Sequence, residues 1–177
     1  MRGWLPVVVL ASVSVSCTAD ARPETSVVPT SSTVAAVGAL PLVGLIDEAV
    51  AAVESELGAE LDYFEINATP RLVNLFVALN EGAVVQPWVY LDGALTSAEG
   101  RPADGGTFRA GDLEVDPDAV FDTLRREIPG ATIETFYVNG DGSGNVQYGA
   151  LVTSASGGGL DVLLGPDGAV LSVDPID

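Results

Sequence analysis

The chain has 177 residues, with 25 acidic side chains against 7 basic ones and a formal charge of −18. All seven basic residues are arginine; there is no lysine, no histidine and one cysteine, Cys17. These counts exclude imidazole catalysis, lysine Schiff bases, P-loop phosphate binding and zinc sites built on Cys or His, and so acidic a chain repels nucleic acid.

The first element is a targeting segment over residues 1–16. Met1 and Arg2 lead into an uncharged, mostly apolar run from Trp4 to Val15. That run is about 12 residues long, whereas a helical membrane span needs roughly 20. Its length and the small residues after it fit the apolar core of a signal peptide. Ser14-Val15-Ser16-Cys17 resembles a bacterial lipobox, which implies that Cys17 is acylated and becomes the first residue of the mature chain. A competing site, Ala19-Asp20-Ala21, would release a chain starting at Arg22. The single cysteine favours lipidation: it can form no internal disulfide, and a lone thiol outside the cytoplasm needs a use. Loss of residues 1–16 removes one arginine, leaving 6 against 25 acids and a net charge of −19. Residues 17–39 turn to Ser, Thr, Pro, Ala and Val without a sustained period and read as a disordered tether. The whole segment, residues 1–40, resembles the start of actinobacterial envelope lipoproteins. That resemblance implies a lipid anchor in the cell membrane, on its extracytoplasmic side.

Residues 40–97 form the first α+β unit. Leu42, Ile46, Val50, Val53 and Leu57 recur at helical spacing, so a helix is expected over 42–57, with Gly58 at its exit. Strands are expected at 61–66, 72–79, 83–91 and 94–97. Residues 98–115 are rich in Gly and charge and read as a connecting loop, pinned by Phe108 and Leu113, with room for a short edge strand at 107–109. Residues 116–177 form the second unit. Its helix, 116–128, is better marked: Asp116 to cap, Pro117 at the first position, Val120, Phe121, Leu124 and Ile128 on one face, Arg125 and Arg126 in the last turn, and Pro129-Gly130 to stop it. Strands follow at 132–138, 146–153, 160–164 and 169–173.

The two units echo each other. Asp92-Gly93 and Asp167-Gly168 are tight-turn signals 75 residues apart, and Phe64 is matched to Phe136 at an offset of 72. Each unit is too small for a comfortable core of its own. The expected fold is therefore α+β: two helix-plus-antiparallel-strand units forming one sheet, covered on one face by two helices. The helix, the hairpins, the Asp-Gly turn and the closing aliphatic strand, carried by Phe136-Tyr137-Val138 and Asp167-Gly168-Ala169-Val170-Leu171, resemble PepSY-type domains. That resemblance implies a noncatalytic binding or regulatory module.

Candidate chemical sites are sparse. Asn139, Asp141 and Ser143 fall at positions one, three and five of a calcium-loop pattern, but position twelve is Ala150 where a bidentate Glu is required, so a hairpin loop is the simpler reading. The acids Asp112, Glu114, Asp116, Asp118 and Asp122 read as a helix start and a solvated edge. Gly142-Ser143-Gly144 is a fragment of a nucleophile elbow without a base, and Gly157-Gly158-Gly159 reads as a turn. Trp88 and Tyr90 share one side of a strand, because side chains alternate. Two outcomes follow: either they belong to the core, or the core takes Val89 and they stand exposed as a partner surface. Pro87 favours an edge strand or a bulge there. The functional expectation is a noncatalytic envelope lipoprotein without cofactor, whose acidic ectodomain binds a protein or peptide. The alternatives are a carrier of an apolar ligand in a helix–sheet cavity and a carboxylate-metal hydrolase.

Overall fold

The computed structural model describes residues 38–176. The expected targeting segment, Cys17 and all but the last two residues of the expected tether lie outside them. A single helical turn, Val43–Leu45, leads into α1, Ile46–Leu57. Asp47 and Glu48 sit in the first turn, where the helix dipole favours negative charge. Gly58, at φ +73°, ends the helix and donates its N–H to the Glu54 carbonyl. Ile46, Ala49, Val50 and Val53 are buried, while Leu57 in the last turn is 39% exposed. The second helix, α2, is Pro117–Glu127. The Asp116 carboxylate caps it by accepting from the N–H groups of Asp118 and Ala119 at 3.0 and 3.2 Å.

The strands are β1 (Asp62–Ala68), β2 (Val73–Leu79), β3 (Val84–Leu91), β4 (Ala94–Ser97), β5 (Arg101–Pro102), β6 (Phe108–Arg109), β7 (Thr132–Gly140), β8 (Val146–Thr153), β9 (Gly159–Leu164) and β10 (Val170–Ile176). They build one antiparallel sheet in the order β10-β9-β8-β7-β1-β2-β3-β4, with β5 against β3 and β6 against β1. The first long strand of each half thus pairs with its counterpart at the centre. The fold is α+β, with two helices packed on a multistranded antiparallel sheet.

The halves match in detail. Both central strands carry a bulge at the same place, between Tyr63 and Glu65 and between Ile133 and Thr135. That sets the offset of β1 and β7 at 70 residues, so Phe136 answers Ile66. Phe64 is the extra residue of its bulge and answers Glu134. The expected match of Phe64 to Phe136 is corrected accordingly. With that offset Asn67 and Tyr137 are equivalent, and they are also paired opposite each other. The pseudo-twofold axis therefore passes between them. The offset grows to 75 at the Asp-Gly turns, mainly because the β7–β8 hairpin is longer than β1–β2.

One face of the sheet is the core face. Ile66, Leu75 and Trp88 lie in one row across β1, β2 and β3, and Phe136, Ala150 and Val162 in the corresponding row across β7, β8 and β9. These side chains meet Val53 of α1 and Val120 and Leu124 of α2 in one cluster. Trp88 and Tyr90 are 8% and 5% exposed, so the expectation that they form an exposed partner surface is corrected. The alternation puts Val89 on the opposite face, and the core takes the larger apolar area of the two aromatics.

The connector departs from a plain loop. Its Ala98 and Ala103 N–H groups extend the ladder along β3, donating to the Pro87 and Ala83 carbonyls. It then passes the β7–β8 hairpin at Gly106. A Cβ there would lie 2.2 Å from the Gly142 nitrogen and 2.7 Å from the Gly140 carbonyl oxygen. Only glycine permits that backbone contact.

Candidate functional site

Among the described residues no helix packs on the face of the sheet opposite α1 and α2; the connector lies against one end of it, where a Cβ on Gly105 would be 3.7 Å from the Phe64 ring and Val85 is buried. The central row of this face runs Val89, Asn74, Asn67, Tyr137, Gly149, Leu163 across β3, β2, β1, β7, β8 and β9. Gly149 is buried and the other five are half-buried. The row is apolar at both ends and polar at the symmetry axis. Phe76 and Pro87 adjoin the first half, and Leu151 adjoins the second.

The polar centre is held by its own hydrogen bonds. The Asn74 side-chain amide donates to Asn67 Oδ1 at 2.6 Å, and Asn67 donates to Glu65 Oε1 at 2.7 Å. Tyr137 lies over Gly149, and a Cβ on that glycine would fall 2.2 Å from the phenol ring. The tyrosine reaches across β8 and its hydroxyl donates to Asp161 Oδ1 on β9 at 2.7 Å. Desolvation, the Asp161 bond and the nearby charges of Asp161 and Glu65 push the Tyr137 phenol well above its usual range. A glycine in mid-strand signals a close approach by another group. Gly149 in mid-strand is the sequence signal for this site, whereas the Glu65–Asn67–Asn74 set carries none, because it is assembled by the pairing of β1 with β2.

The helix side uses tyrosine differently. Tyr63 donates to Glu54 at 3.4 Å and Tyr90 to Glu48, so both phenols tie α1 to the sheet. Burial, and then Glu54, raises the Tyr63 phenol. Tyr148 accepts from the Glu114 N–H at 2.9 Å and fastens the connector.

Of the Asn139-Asp141-Ser143 pattern, Asp141 and Ser143 lie in the β7–β8 hairpin loop, while Asn139 belongs to β7. Asp141 Oδ1 accepts from the Ser143 and Asn145 N–H groups at 2.7 and 3.1 Å, and Oδ2 accepts from the Asn145 amide at 2.9 Å. These bonds, led by the Asn145 side chain, lower the Asp141 carboxyl. Both oxygens are thus engaged within the loop, and Ala150 faces the core. Asn139 is turned elsewhere: its Oδ1 is buried without a partner.

Among the described residues no three carboxylates, cysteines or histidines gather where one metal ion could bind. Asp116 caps α2, and Asp122 pairs with Arg125 at 3.5 Å. A cleft of about 410 Å³ beside α1 is lined by Asp47, Glu54, Glu60, Arg109 and Asp112. Arg109 is held there by Glu60 at 3.7 Å and Asp62 at 3.3 Å. The layer between helices and sheet is filled by side chains fully removed from solvent, among them Val53, Ile66, Leu75, Leu124 and Phe136. No helix of the described residues is long and apolar enough to cross a membrane. Comparison with protein-family models, with curated proteins and with solved structures finds no match.

Proposed function

We propose that the chain is a noncatalytic envelope lipoprotein, anchored through acylated Cys17, whose acidic α+β ectodomain binds a protein or peptide partner outside the cytoplasm. The observation that carries the binding reading is the broad sheet face left uncovered by the helices. Half-buried Val89, Phe76, Leu151 and Leu163 flank an ordered polar centre on that face. Such a mixture of apolar area and fixed hydrogen-bonding groups suits a protein interface. The anchor reading rests on the apolar leader and on the lipobox-like Ser14–Cys17. The PepSY resemblance points the same way, toward a binding module at the envelope.

The test has two arms. Mass spectrometry of the native mature chain should find Cys17 as the acylated first residue. A chain beginning at Arg22, or one retaining Met1 with a free thiol, overturns the anchor. A photo-crosslinker placed at Val89 or Leu163 should trap a defined envelope protein that the same crosslinker at Ala51, exposed on α1, does not trap. Equal trapping at all three positions overturns the binding face.

A further inference from the structure

The eight long strands hold five carboxylates, Asp62, Glu65, Glu134, Asp161 and Asp174, and not one arginine. The ion pairs of the described residues use Arg109, Arg125 and Arg126, and none reaches Glu65 or Asp161. Both of these acids are half-buried on the open face. Each accepts one neutral hydrogen bond, from Asn67 and Tyr137 respectively. A carboxylate partly withdrawn from water and lacking a cation is incompletely compensated. The two stand three strands apart and are staggered by four residues along the strands, which places them about 20 Å from each other at the usual sheet spacings. Phe76 adjoins Glu65, and Leu151 adjoins Asp161, each in register on the next strand. Phe76 and Leu151 are equivalent in the two halves, but the acids are not: Glu65 stands beside Phe76 on the inner strand, where the second half has Thr135, and Asp161 stands beside Leu151 on the outer strand, where the first half has Pro87. The charge of −18 on each copy opposes a second copy of this chain as occupant.

We infer that the open face binds a cationic segment of a protein, one that presents arginine beside aliphatic side chains, with Glu65 and Asp161 as its two charge anchors. This rests on the proposed binding role and specifies the partner's chemistry. An arginine fork satisfies the free carboxylate oxygens bidentately where a point charge would not. The flanking valine or leucine side chains cover Phe76, Leu151 and Leu163. The negative field of the whole chain speeds the encounter, and salt weakens it.

The experiment uses the full mature chain and three synthetic 12-residue peptides: alternating arginine–valine, arginine–serine and glutamate–valine. Affinities are read by fluorescence anisotropy at two salt concentrations. The arginine–valine peptide should bind at least tenfold more tightly than either of the others. The double variant Glu65→Gln with Asp161→Asn keeps both hydrogen-bond acceptors and should lose at least tenfold. A control of equal charge change on exposed α1, Asp47→Asn with Glu56→Gln, should lose less than twofold. Equal losses in the two double variants overturn the assignment of this face and reduce the interaction to net charge. Equal binding of the glutamate–valine peptide overturns the cationic chemistry. Either result leaves the proposed function to stand or fall on the Val89 and Leu163 crosslinks, which do not depend on the peptides.

Discussion

Tyr137 shows how much of the open face depends on single residues. Its ring needs the bare backbone of Gly149, and its hydroxyl supplies the donor that Asp161 accepts. Tyr137→Phe leaves that half-buried carboxylate short of a partner and should cost about 1 kcal/mol. Gly149→Val drives side-chain atoms into the ring and should cost more, about 1–3 kcal/mol. Urea midpoints of the two variants check the order. The pH dependence has a definite sign. The Tyr63 and Tyr137 phenols are raised in the folded chain, so the folded state holds protons that the unfolded state releases. Their contribution is whole below pH about 10 and is lost as pH climbs from there. The melting temperature should fall above that pH, and Tyr137→Phe should make the fall shallower. The Trp88–Tyr90 pair was legible as two residues sharing a strand face. Which face was not legible, since period two is the same whichever side is buried.

At the scale of elements, local signals carried the assignment. Asp116, Pro117, the spacing of Val120, Phe121 and Leu124, and the two closing arginines all act within a few residues of one another, and α2 forms where they place it. Asp116→Ala removes the cap and should cost about 1 kcal/mol, visible as a lower thermal midpoint. The β7–β8 hairpin tells the opposite story. Its Asn-Gly-Asp-Gly-Ser-Gly-Asn stretch reads as a loop, but its seat against the connector at Gly106 joins residues some 35 positions apart in the sequence. Gly106→Ala meets backbone rather than a side-chain tip, so nothing can rotate aside. It should cost about 1–3 kcal/mol and raise amide exchange in residues 140–146. Unchanged exchange there would show that the contact does not hold the hairpin. The connector itself was legible as a loop. The edge strand expected at 107–109 is β6, whereas β5 was not legible, because it exists only where β3 offers free ladder positions.

The described residues form two similar halves joined through their first strands, in a chain charged heavily to one sign. The four ion pairs of the described residues are all exposed and contribute little each. With a formal charge of −18, self-repulsion among the remaining carboxylates is expected to outweigh them. Raising sodium chloride from about 0.01 to 0.5 M shortens the screening length and should raise the melting temperature by a few degrees. A fall would mean that the ion pairs outweigh the repulsion. By itself the sequence determined the number, kind and order of the main elements, the existence of a repeat, and the sign of the charge. These properties follow from hydrophobic period, turn residues and composition, all of which act between neighbours in the chain. Only the tertiary structure decided that β1 meets β7, that Asn67 and Tyr137 share the axis, that Trp88 lies inside, and that Tyr137 spans Gly149 to reach Asp161. Each of these depends on the register between strands far apart in sequence, where a slip of one residue exchanges the two faces of the sheet.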